Sequence, residues 1–385
     1  MSRVDELIRE LCPDGVERIR IVEVCSKVLA GGDRPSDVIK GEKYPTDDRP
    51  YPVYSNGKGE EALYGYSSTK RVDDKAVTVS ARGTIGYHTV REPGFTPIVR
   101  LITLIPNQDK ISADYLNVAL YASDVLGTQG GIPQLTVPMM KEALIPVPPL
   151  EVQEEIVRIL DQFVELDREL EQEIAGRTAQ FDRLREDLLS DENYPPVPVG
   201  NLAARVSTGA TPKASEARYY QGGDIPWLRT GEVNFGEIWE TEKLITQTAL
   251  DETNVSWIAE NCVVVAISGA TAGRVAVNKI PMTTNQHCCN MQIDPEMANY
   301  RFVFHALASS YEEMKAQGRG ARGDLNISLI KGFPIPLPPL EVQEEIANKL
   351  DTFTEYVDNL KRERELRQKQ YEYYRDQLLD FPVKE

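Results

Sequence analysis

A chain of 385 residues is too long for one compact core, so its length indicates two or more domains. The apolar fraction is that of an ordinary folded protein, and no apolar run approaches the roughly 18–20 residues that a membrane helix needs. The first ten residues are charged and lack the apolar core of a signal peptide. The five cysteines form no C-x-x-C pair and suit a reducing compartment. We therefore predict a cytoplasmic protein without a membrane partner.

The formal net charge of −17 is unevenly distributed along the chain. Residues 146–195 and 336–385 hold 13 of the 17 excess negative charges, whereas residues 1–145 and 196–335 are each at net −2. Phosphate contacts require local positive charge, which a nearly neutral domain can still present on one face. The nearly neutral segments are thus compatible with nucleic acid, and the acidic segments favour protein partners.

Residues 1–145 are predicted to form a first mixed α/β domain. A strand-like stretch at 19–24 precedes a glycine turn, and a β-branched strand beginning at Ala76 runs into a small-residue loop that ends at Gly86. A helix is predicted over 113–125. Short β-branched stretches separated by turn residues are typical of a mixed sheet.

Residues 146–192 are predicted to form a first long helix behind a proline-rich approach. Pro149 stands where a helix starts, and Glu151, Glu154 and Glu155 suit the positive end of the helix dipole. Apolar residues then recur in steps of three, four and seven, which is the mark of a coiled-coil seam. The predicted seam residues are Ile156, Leu160, Phe163, Leu166, Leu170, Ile174, Phe181, Leu184 and Leu188.

Residues 193–335 are predicted to form a second α/β domain that is a diverged relative of the first. It has a strand-like stretch at 197–202, a strand and small-residue loop at 262–273, and a helix at 299–315, in the same order as the first domain.

Residues 336–385 are predicted to form a second long helix that repeats the first. The segment 145–156 recurs at 335–346 with eleven of twelve positions identical, and the register then continues without a gap. Its predicted seam residues are Ile346, Leu350, Phe353, Val357, Leu360, Tyr371, Tyr374 and Leu378. Because the chain order is domain, helix, domain, helix, we predict that the two helices pair as an antiparallel coiled coil within a pseudo-two-fold repeat. The predicted fold class is α+β (mixed).

These motifs resemble those of the specificity subunit of type I restriction–modification systems, and the resemblance covers essentially the whole chain. The residues that carry it are the two P-x-P-P-L-x-x-Q-x-x-I helix starts at 146–156 and 336–346, the segments 11–16 and 51–57, the strand–loop pairs that end at Gly86 and Gly273, and the run 283–286.

The resemblance implies a division of labour among subunits. Residues 1–145 and 193–335 would be target-recognition domains, each reading one half of a bipartite, asymmetric double-stranded DNA sequence. The helices would set the spacer and dock two methyltransferase (modification) subunits, and restriction subunits with translocase and nuclease activity would join the complex. The chain itself would be non-catalytic, with S-adenosylmethionine, ATP and Mg²⁺ used by the partner subunits.

Motifs of catalysis and metal binding are weak in this sequence. It has neither an N-P-P-[FY] tetrapeptide nor a G-x-x-x-x-G-K-[ST] phosphate loop. Cys288 and Cys289 lack zinc-ligand spacing and are interpreted as buried thiols on a strand. His88 and His305 have no evident Ser, Cys or Asp partner pattern. We therefore predict no catalytic residue, no metal site and no cofactor in this chain.

Candidate DNA-contacting residues come from loops that combine arginine or lysine with polar groups and glycine, because Arg, Asn, Gln and Thr read the edges of bases. In the first domain they are Tyr54, Asn56, Lys58, Arg82, Thr84, Gln129 and Gln134. In the second they are Lys213, Trp227, Arg229, Thr230, Asn234, Thr271, Arg274, Asn285, Gln286, Arg319 and Arg322. The alternative for each is an ordinary surface-loop residue or turn former.

Two other functions are compatible with the same sequence. The acidic helices and the coiled coil also suit a protein scaffold whose domains bind proteins, and an enzyme with an unfamiliar site is the third possibility. A split, methylated DNA motif that depends on this chain would distinguish the first reading from both.

Overall fold

The computed structural model describes residues 3–126, 134–190, 193–318 and 324–382. The chain divides into two compact units, of which unit 1 comprises Met1–Glu171 with Arg362–Glu385 and unit 2 comprises Gln172–Lys361. Each unit therefore contains one α/β globule and a segment of both long helices. The sequence-based boundaries instead set each helix apart as a segment of its own, and they stay a prediction.

The helices and strands of the first half, in chain order, are α1 (Arg3–Leu11), β1 (Arg18–Arg20), α2 (Ile21–Val24), β2 (Cys25–Ala30), β3 (Tyr51–Tyr54), β4 (Leu63–Ser67), β5 (Ala76–Ser80), β6 (His88–Arg91), β7 (Thr96–Pro97), β8 (Leu101–Pro106), α3 (Ala113–Ala119), α4 (Val137–Glu142), β9 (Leu144–Pro146) and α5 (Leu150–Leu189).

Those of the second half are β10 (Pro196–Pro198), β11 (Ala203–Thr208), β12 (Ile225–Leu228), β13 (Glu237–Ile238), β14 (Leu244–Ile245), α6 (Gln247–Glu252), β15 (Trp257–Ile258), β16 (Val263–Ala266), β17 (Val275–Asn278), β18 (Met282–Thr284), β19 (Cys288–Ile293), α7 (Tyr300–Ser309), α8 (Tyr311–Ala316), α9 (Ile327–Gly332), β20 (Pro334–Pro336) and α10 (Leu340–Leu379).

The globule of unit 1 is built on an antiparallel sheet of strand order β2-β8-β5-β6, with a smaller sheet of order β4-β3-β7. In the larger sheet Val77 pairs with Leu104 and with Val90. Both β5 and β8 are buried along their full length, because nearly all of their side chains are apolar or small rather than alternating with polar ones. The core joins this sheet to α3 and to the first turns of α5, where Val152 and Ile156 are fully buried.

The globule of unit 2 also has two sheets, each with one strand more than its counterpart in unit 1. Its larger sheet has the order β11-β19-β16-β17-β13, and its smaller sheet has the order β14-β12-β18-β15. The central strands β16 and β19 again pair antiparallel, with Val264 opposite Asn290. The mixed α/β prediction and the kinship of the two domains are both confirmed, and the two buried thiols Cys288 and Cys289 do lie on a strand.

The two long helices run antiparallel within each unit, as predicted. In unit 1, the rings of Phe163 and Tyr371 meet edge to face with 6.5 Å between their centroids, and Arg364 Nε donates to Asp167 at 3.0 Å. In unit 2, Phe181 stacks near Phe353 at 5.6 Å. The residue numbers of the partners rise on one helix as they fall on the other.

The predicted seam is wrong at Leu166 in α5, whereas the predicted seam residue Tyr374 in α10 is 43% exposed but keeps its ring 5.5 Å from that of Phe163. Leu166 is 40% exposed, whereas Asp167 is half-buried and takes the seam position beside it. The seam spacing of three and four then runs through 160, 163, 167, 170 and 174. Sequence periodicity favoured the leucine, but the ion pair between Asp167 and Arg364 lets a polar residue occupy the seam.

A buried glutamine explains the Q of the repeated motif. Gln153 lies in the first turn of α5 and is fully buried. Its Nε2 donates to the carbonyls of Pro148 at 2.8 Å and Lys110 at 2.9 Å, and its Oε1 accepts from the Ser112 backbone N–H at 3.1 Å. The amide thus ties the start of the long helix to the proline approach and to the N-terminus of α3.

Gln343 repeats this arrangement in unit 2. Its Nε2 donates to the Pro338 carbonyl and its Oε1 accepts from the Asn299 backbone N–H, both at 2.8 Å. Ser112 and Asn299 are therefore equivalent positions, each at the N-cap of the helix that follows.

Several predicted element limits are wrong. The strand expected at 19–24 ends at Arg20, and Ile21–Val24 forms a helical turn that buries its two end residues. The strand expected at 197–202 is a strand at Pro196–Pro198 followed by a 3-10 turn over Val199–Leu202. Apolar runs this short do not distinguish a strand from a helical turn by periodicity.

Both globule helices also differ in extent from the prediction. The helix expected at 113–125 ends at Ala119 and passes into a 3-10 turn, Leu120–Ala122. The helix expected at 299–315 is interrupted at Ser310 between α7 and α8.

Candidate nucleic-acid interface

The small-residue loop after β5 is held against two other chain segments in unit 1. The Ala81 N–H donates to the Arg100 carbonyl at 2.8 Å, and the Leu135 N–H donates to the Ala81 carbonyl at 3.0 Å. Gly83 has a φ of 75°. A Cβ at Gly83 would lie 2.8 Å from the Asn56 side-chain nitrogen, so glycine permits the close approach of these two loops.

This convergence brings several predicted residues together in unit 1. Arg82 donates through Nε to the Gln134 Oε1 at 2.9 Å. Asn56 lies beside Gly83, and the Thr84 hydroxyl is buried without a hydrogen-bond partner among the described residues. Lys58 is exposed on the loop that follows β3. Gln129 falls outside the described residues.

Tyr54 supports a cation that sequence reasoning missed. The Arg91 guanidinium stacks on the Tyr54 ring at 3.8 Å from the centroid, and Arg91 Nε donates to the Thr78 hydroxyl at 3.2 Å. Burial lowers the pKa of Arg91, with Tyr54 opposing that shift. No short-range sequence signal indicates this pair, because the two residues are 37 positions apart.

In unit 2 the corresponding loops also converge, and they carry predicted residues. The Thr271 hydroxyl donates to the Thr230 carbonyl at 2.9 Å, and the Thr211 hydroxyl hydrogen-bonds the Gln286 side chain. Gln286 and Asn234 are exposed. Arg274 has a buried Nε without a hydrogen-bond partner among the described residues.

Other predicted residues of unit 2 are engaged within the protein. Trp227 is only 6% exposed, and its indole N–H donates to the Ala210 carbonyl at 3.1 Å. Arg229 pairs with Glu242 and, at 3.4 Å, with Glu232.

Asn285 and Lys213 are also engaged, and two predicted positions fall outside the described part. Asn285 is 8% exposed and accepts from the His287 N–H at 3.0 Å. Lys213 pairs with Glu216 at 3.6 Å. Arg319 and Arg322 lie outside the described residues. Contact of each candidate with DNA stays a prediction.

Backbone hydrogen bonds align the two globules residue by residue. The Ile98 N–H donates to the Tyr54 carbonyl in unit 1, and the Asn285 N–H donates to the Leu228 carbonyl in unit 2, both at 2.9 Å. The bond from the Ala81 N–H to the Arg100 carbonyl corresponds to that from the Ile267 N–H to the His287 carbonyl, at 2.9 Å. The bond from the Leu135 N–H to the Ala81 carbonyl corresponds to that from the Leu325 N–H to the Ile267 carbonyl, at 2.8 Å.

This alignment pairs positions of different chemistry. Arg100 corresponds to His287, Arg82 corresponds to Ser268, and Gln134 corresponds to Asp324. The two globules therefore present different side chains from the same backbone frame. This is the arrangement expected of two readers with different ligands.

A histidine environment also differs from expectation. His305 has an aspartate partner after all, because its Nε2 lies 2.7 Å from the Asp351 Oδ1 on α10. Arg301 holds the same carboxylate, so the group is an ion-paired structural contact within unit 2. Among the described residues, no three His, Cys, Asp or Glu side chains are grouped as metal ligands would be.

The comparisons with known proteins agree with this arrangement. The chain matches the family described as the type I restriction modification DNA specificity domain twice, over residues 13–176 and 193–367. The chain belongs to this family. No helix in the described part of the chain has the length and apolar character to cross a membrane.

The chain is 31% identical over 248 residues to the Type I restriction enzyme EcoR124I/EcoR124II specificity subunit of Escherichia coli, a match that covers 61% of each chain. The match therefore spans less than two thirds of that relative. The crystal structure of a type I restriction-modification system S subunit from M. genitalium superposes with a TM-score of 0.60 at 14% identity, covering 94% of this chain and 95% of that one. A chain from a structural study of type I R-M complex assembly gives 0.57 at 16% identity, covering 95% and 97%. The fold is thus that of these subunits.

Proposed function

We propose that this chain is the non-catalytic DNA sequence-specificity subunit of a type I restriction–modification complex in the cytoplasm. Its two globules read the two halves of a bipartite, asymmetric double-stranded DNA target. The observation that carries the proposal is the pair of equivalent loop clusters, in which one backbone frame presents different polar and cationic residues in each unit.

The long helices are proposed to dock two methyltransferase subunits, with restriction subunits joining through that complex. Both helices are largely polar, yet they expose several large apolar side chains away from the seam. The most exposed of them are Val164 (55% exposed), Leu366 (59%) and Tyr373 (61%). An apolar side chain on an acidic helix surface is suited to a protein partner rather than to phosphates. S-adenosylmethionine, ATP and Mg²⁺ are then used in the partner subunits.

Genome-wide mapping of methylated adenines tests this function. The full chain is co-produced with the modification subunit of its own system in a host without other adenine methylation, and the modified sites are sequenced. A split motif with a fixed gap is expected. Modification that is absent, or that occurs without any such motif, contradicts the proposal and favours the protein-scaffold alternative.

The length of the helices should set the gap between the half-sites. Removing residues 167–173 and 361–367 together deletes one heptad from each helix and removes both members of the Asp167–Arg364 ion pair, so the remaining seam stays in register. Seven residues correspond to about 10 Å of helix, or about three base pairs of DNA at 3.4 Å each. We expect a gap shorter by that amount with both half-sites unchanged.

A deletion in one helix alone is the matched control for this experiment. It puts the two seams out of register and should abolish modification. A changed half-site sequence in the double deletion would contradict the spacer role.

A further inference from the structure

A cleft of about 380 Å³ lies in unit 1 where the three loop segments converge. Its lining includes Arg82, Val99, Arg100 and Gln134. Arg82 is held by Gln134, whereas the Arg100 side chain has neither a hydrogen bond nor an ion pair to any residue in the described ranges. The cleft therefore carries two guanidinium groups, neither of which is paired with a carboxylate of the described chain.

Arg100 occupies an unusual backbone conformation at this cleft. Its φ is 77°, in the left-handed region that non-glycine residues rarely adopt. Hydrogen bonds hold the backbone there, since the Arg100 carbonyl accepts from Ala81 and the next residue, Leu101, starts β8. The side chain is exposed, as is the neighbouring Val99, which is 52% exposed. Strain of this kind persists where the surrounding structure enforces it, and it is common at binding sites.

The equivalent position in unit 2 has no such cation. His287 stands in place of Arg100, Ser268 in place of Arg82 and Asp324 in place of Gln134. Asp324 accepts from the Gly269 N–H at 3.2 Å. The cation at this position is therefore a property of the first globule and not of the shared frame.

Resting on the proposed function, we infer that Arg100 reads a guanine in the half-site bound by the first globule. An arginine fork donates two hydrogen bonds to O6 and N7 of guanine in the major groove, and this is the commonest base-specific contact of arginine. The exposed Val99 side chain places an apolar surface beside that fork. Apolar groups contact the edges of bases rather than charged phosphates, so this neighbour favours base contact. Arg100 is thus a specificity-determining residue that sequence analysis did not identify.

Arg100→Gly is the decisive variant, because glycine adopts a positive φ without strain. The variant chain should fold at least as well as the original, so its melting temperature should be unchanged or higher. In the methylome of the complex, one G·C pair in one half-site should lose its preference by roughly 5- to 150-fold, which is the discrimination of one bidentate contact. Arg100→Gln should shift the preference at the same pair toward A·T, since glutamine pairs with adenine.

Two further variants separate this inference from its alternatives. Lys27→Ala removes one exposed positive charge from β2 of the same globule and should leave the motif unchanged. His287→Ala in the second globule should leave the Arg100-dependent position unchanged.

The inference fails if Arg100→Gly lowers methylation uniformly without altering the motif, which is the behaviour of a phosphate contact. It also fails if an A·T pair is the one relaxed, or if His287→Ala relaxes the same pair. If the complex with the unaltered chain methylates no split motif, the proposed function itself fails. A split motif that stays the same in Arg100→Gly contradicts only the role of Arg100.

Discussion

Replacing Gln153 by leucine is expected to destabilise unit 1 by about 3 kcal/mol or more, although leucine is apolar and of similar size. The substitution leaves the Ser112 N–H and the carbonyls of Lys110 and Pro148 without their side-chain partner in the interior. Each buried backbone group left unsatisfied costs about 1–3 kcal/mol. The effect should appear as faster hydrogen exchange in unit 1, with unit 2 unaffected.

Gln343→Leu is the matched change in the other copy of the motif. It removes two hydrogen bonds rather than three, so we expect a loss of about 2 kcal/mol confined to unit 2. Glu154→Ala serves as the control, because Glu154 is exposed one residue from the buried amide and its removal should change stability by less than about 0.5 kcal/mol. Equal stability of Gln153→Leu and Glu154→Ala would show that the repeated glutamine has no anchoring role.

Asp161 and Asp351 occupy the same position of the repeat, yet only the substitution of Asp351 by asparagine should destabilise the protein. In unit 2, the Asp351 carboxylate accepts from Arg301 Nε at 2.8 Å and from His305 Nε2 at 2.7 Å. The side chains of Arg301 and His305 are only 15% and 3% exposed. Removing one partner of a buried charge pair leaves the other unpaired, so Asp351→Asn should cost about 3 kcal/mol, with Glu237 near Arg301 limiting the loss.

Asp161 in unit 1 lies near the acidic residue Asp114, whereas Asp351 in unit 2 lies against Arg301 and His305. The helix position equivalent to Arg301 is Asp114, which is paired with Lys75 at 2.8 Å. Burial and the Asp114 charge raise the pKa of Asp161, and Lys75 only partly offsets them. Asp161→Asn should therefore be neutral or slightly stabilising. A comparable loss of stability in both variants would contradict this reading of the two sites.

The same contacts predict a stability loss of unit 2 in acid. Burial favours the neutral form of Asp351, but the hydrogen bonds from His305 and Arg301 outweigh it and lower the pKa of Asp351 from 3.8 to about 2. A carboxyl group whose pKa is lowered on folding stabilises the folded state at pH values above its ordinary pKa of 3.8. That contribution is lost as the pH falls from about 4 to about 2. Burial also lowers the pKa of His305, against the Asp351 hydrogen bond, so protonation below its ordinary value of 6.5 opposes folding as well.

This dependence is measured by unfolding the chain in denaturant at pH values from 7 to 2, with hydrogen exchange used to monitor unit 2. The stability difference between the unaltered chain and Asp351→Asn should shrink as the pH falls below about 4, because the carboxylate is then protonated in the unfolded state and progressively in the folded one. A difference that stays constant over this range would contradict the role of Asp351.

Part of the candidate site followed from the sequence. Loops placed after strands by glycine and β-branched patterns were predicted near Arg82 and Thr271, and these loops do converge with Gln134 and Thr230 respectively. Arg91 and Arg100 were missed. Their significance depends on Tyr54 and on Ala81, which are distant in the chain, and on a positive φ that local sequence does not reveal for an arginine.

The sequence by itself determined the repeat, the two long helices and their antiparallel pairing. These features depend on local signals: proline before a helix, apolar residues at steps of three and four, and an identity of eleven positions in twelve between 145–156 and 335–346. Such signals are readable because each is encoded within a few helical turns.

Only the tertiary structure decided which residues carry the differences between the two halves. Identical motif positions such as Asp161 and Asp351 acquire opposite electrostatic environments from residues about fifty positions away. Arg100 and His287 become equivalent only through backbone hydrogen bonds between loops that are distant in the chain. Charge interactions and hydrogen bonds act through space within a few ångströms, so their partners are set by the fold and not by separation along the chain.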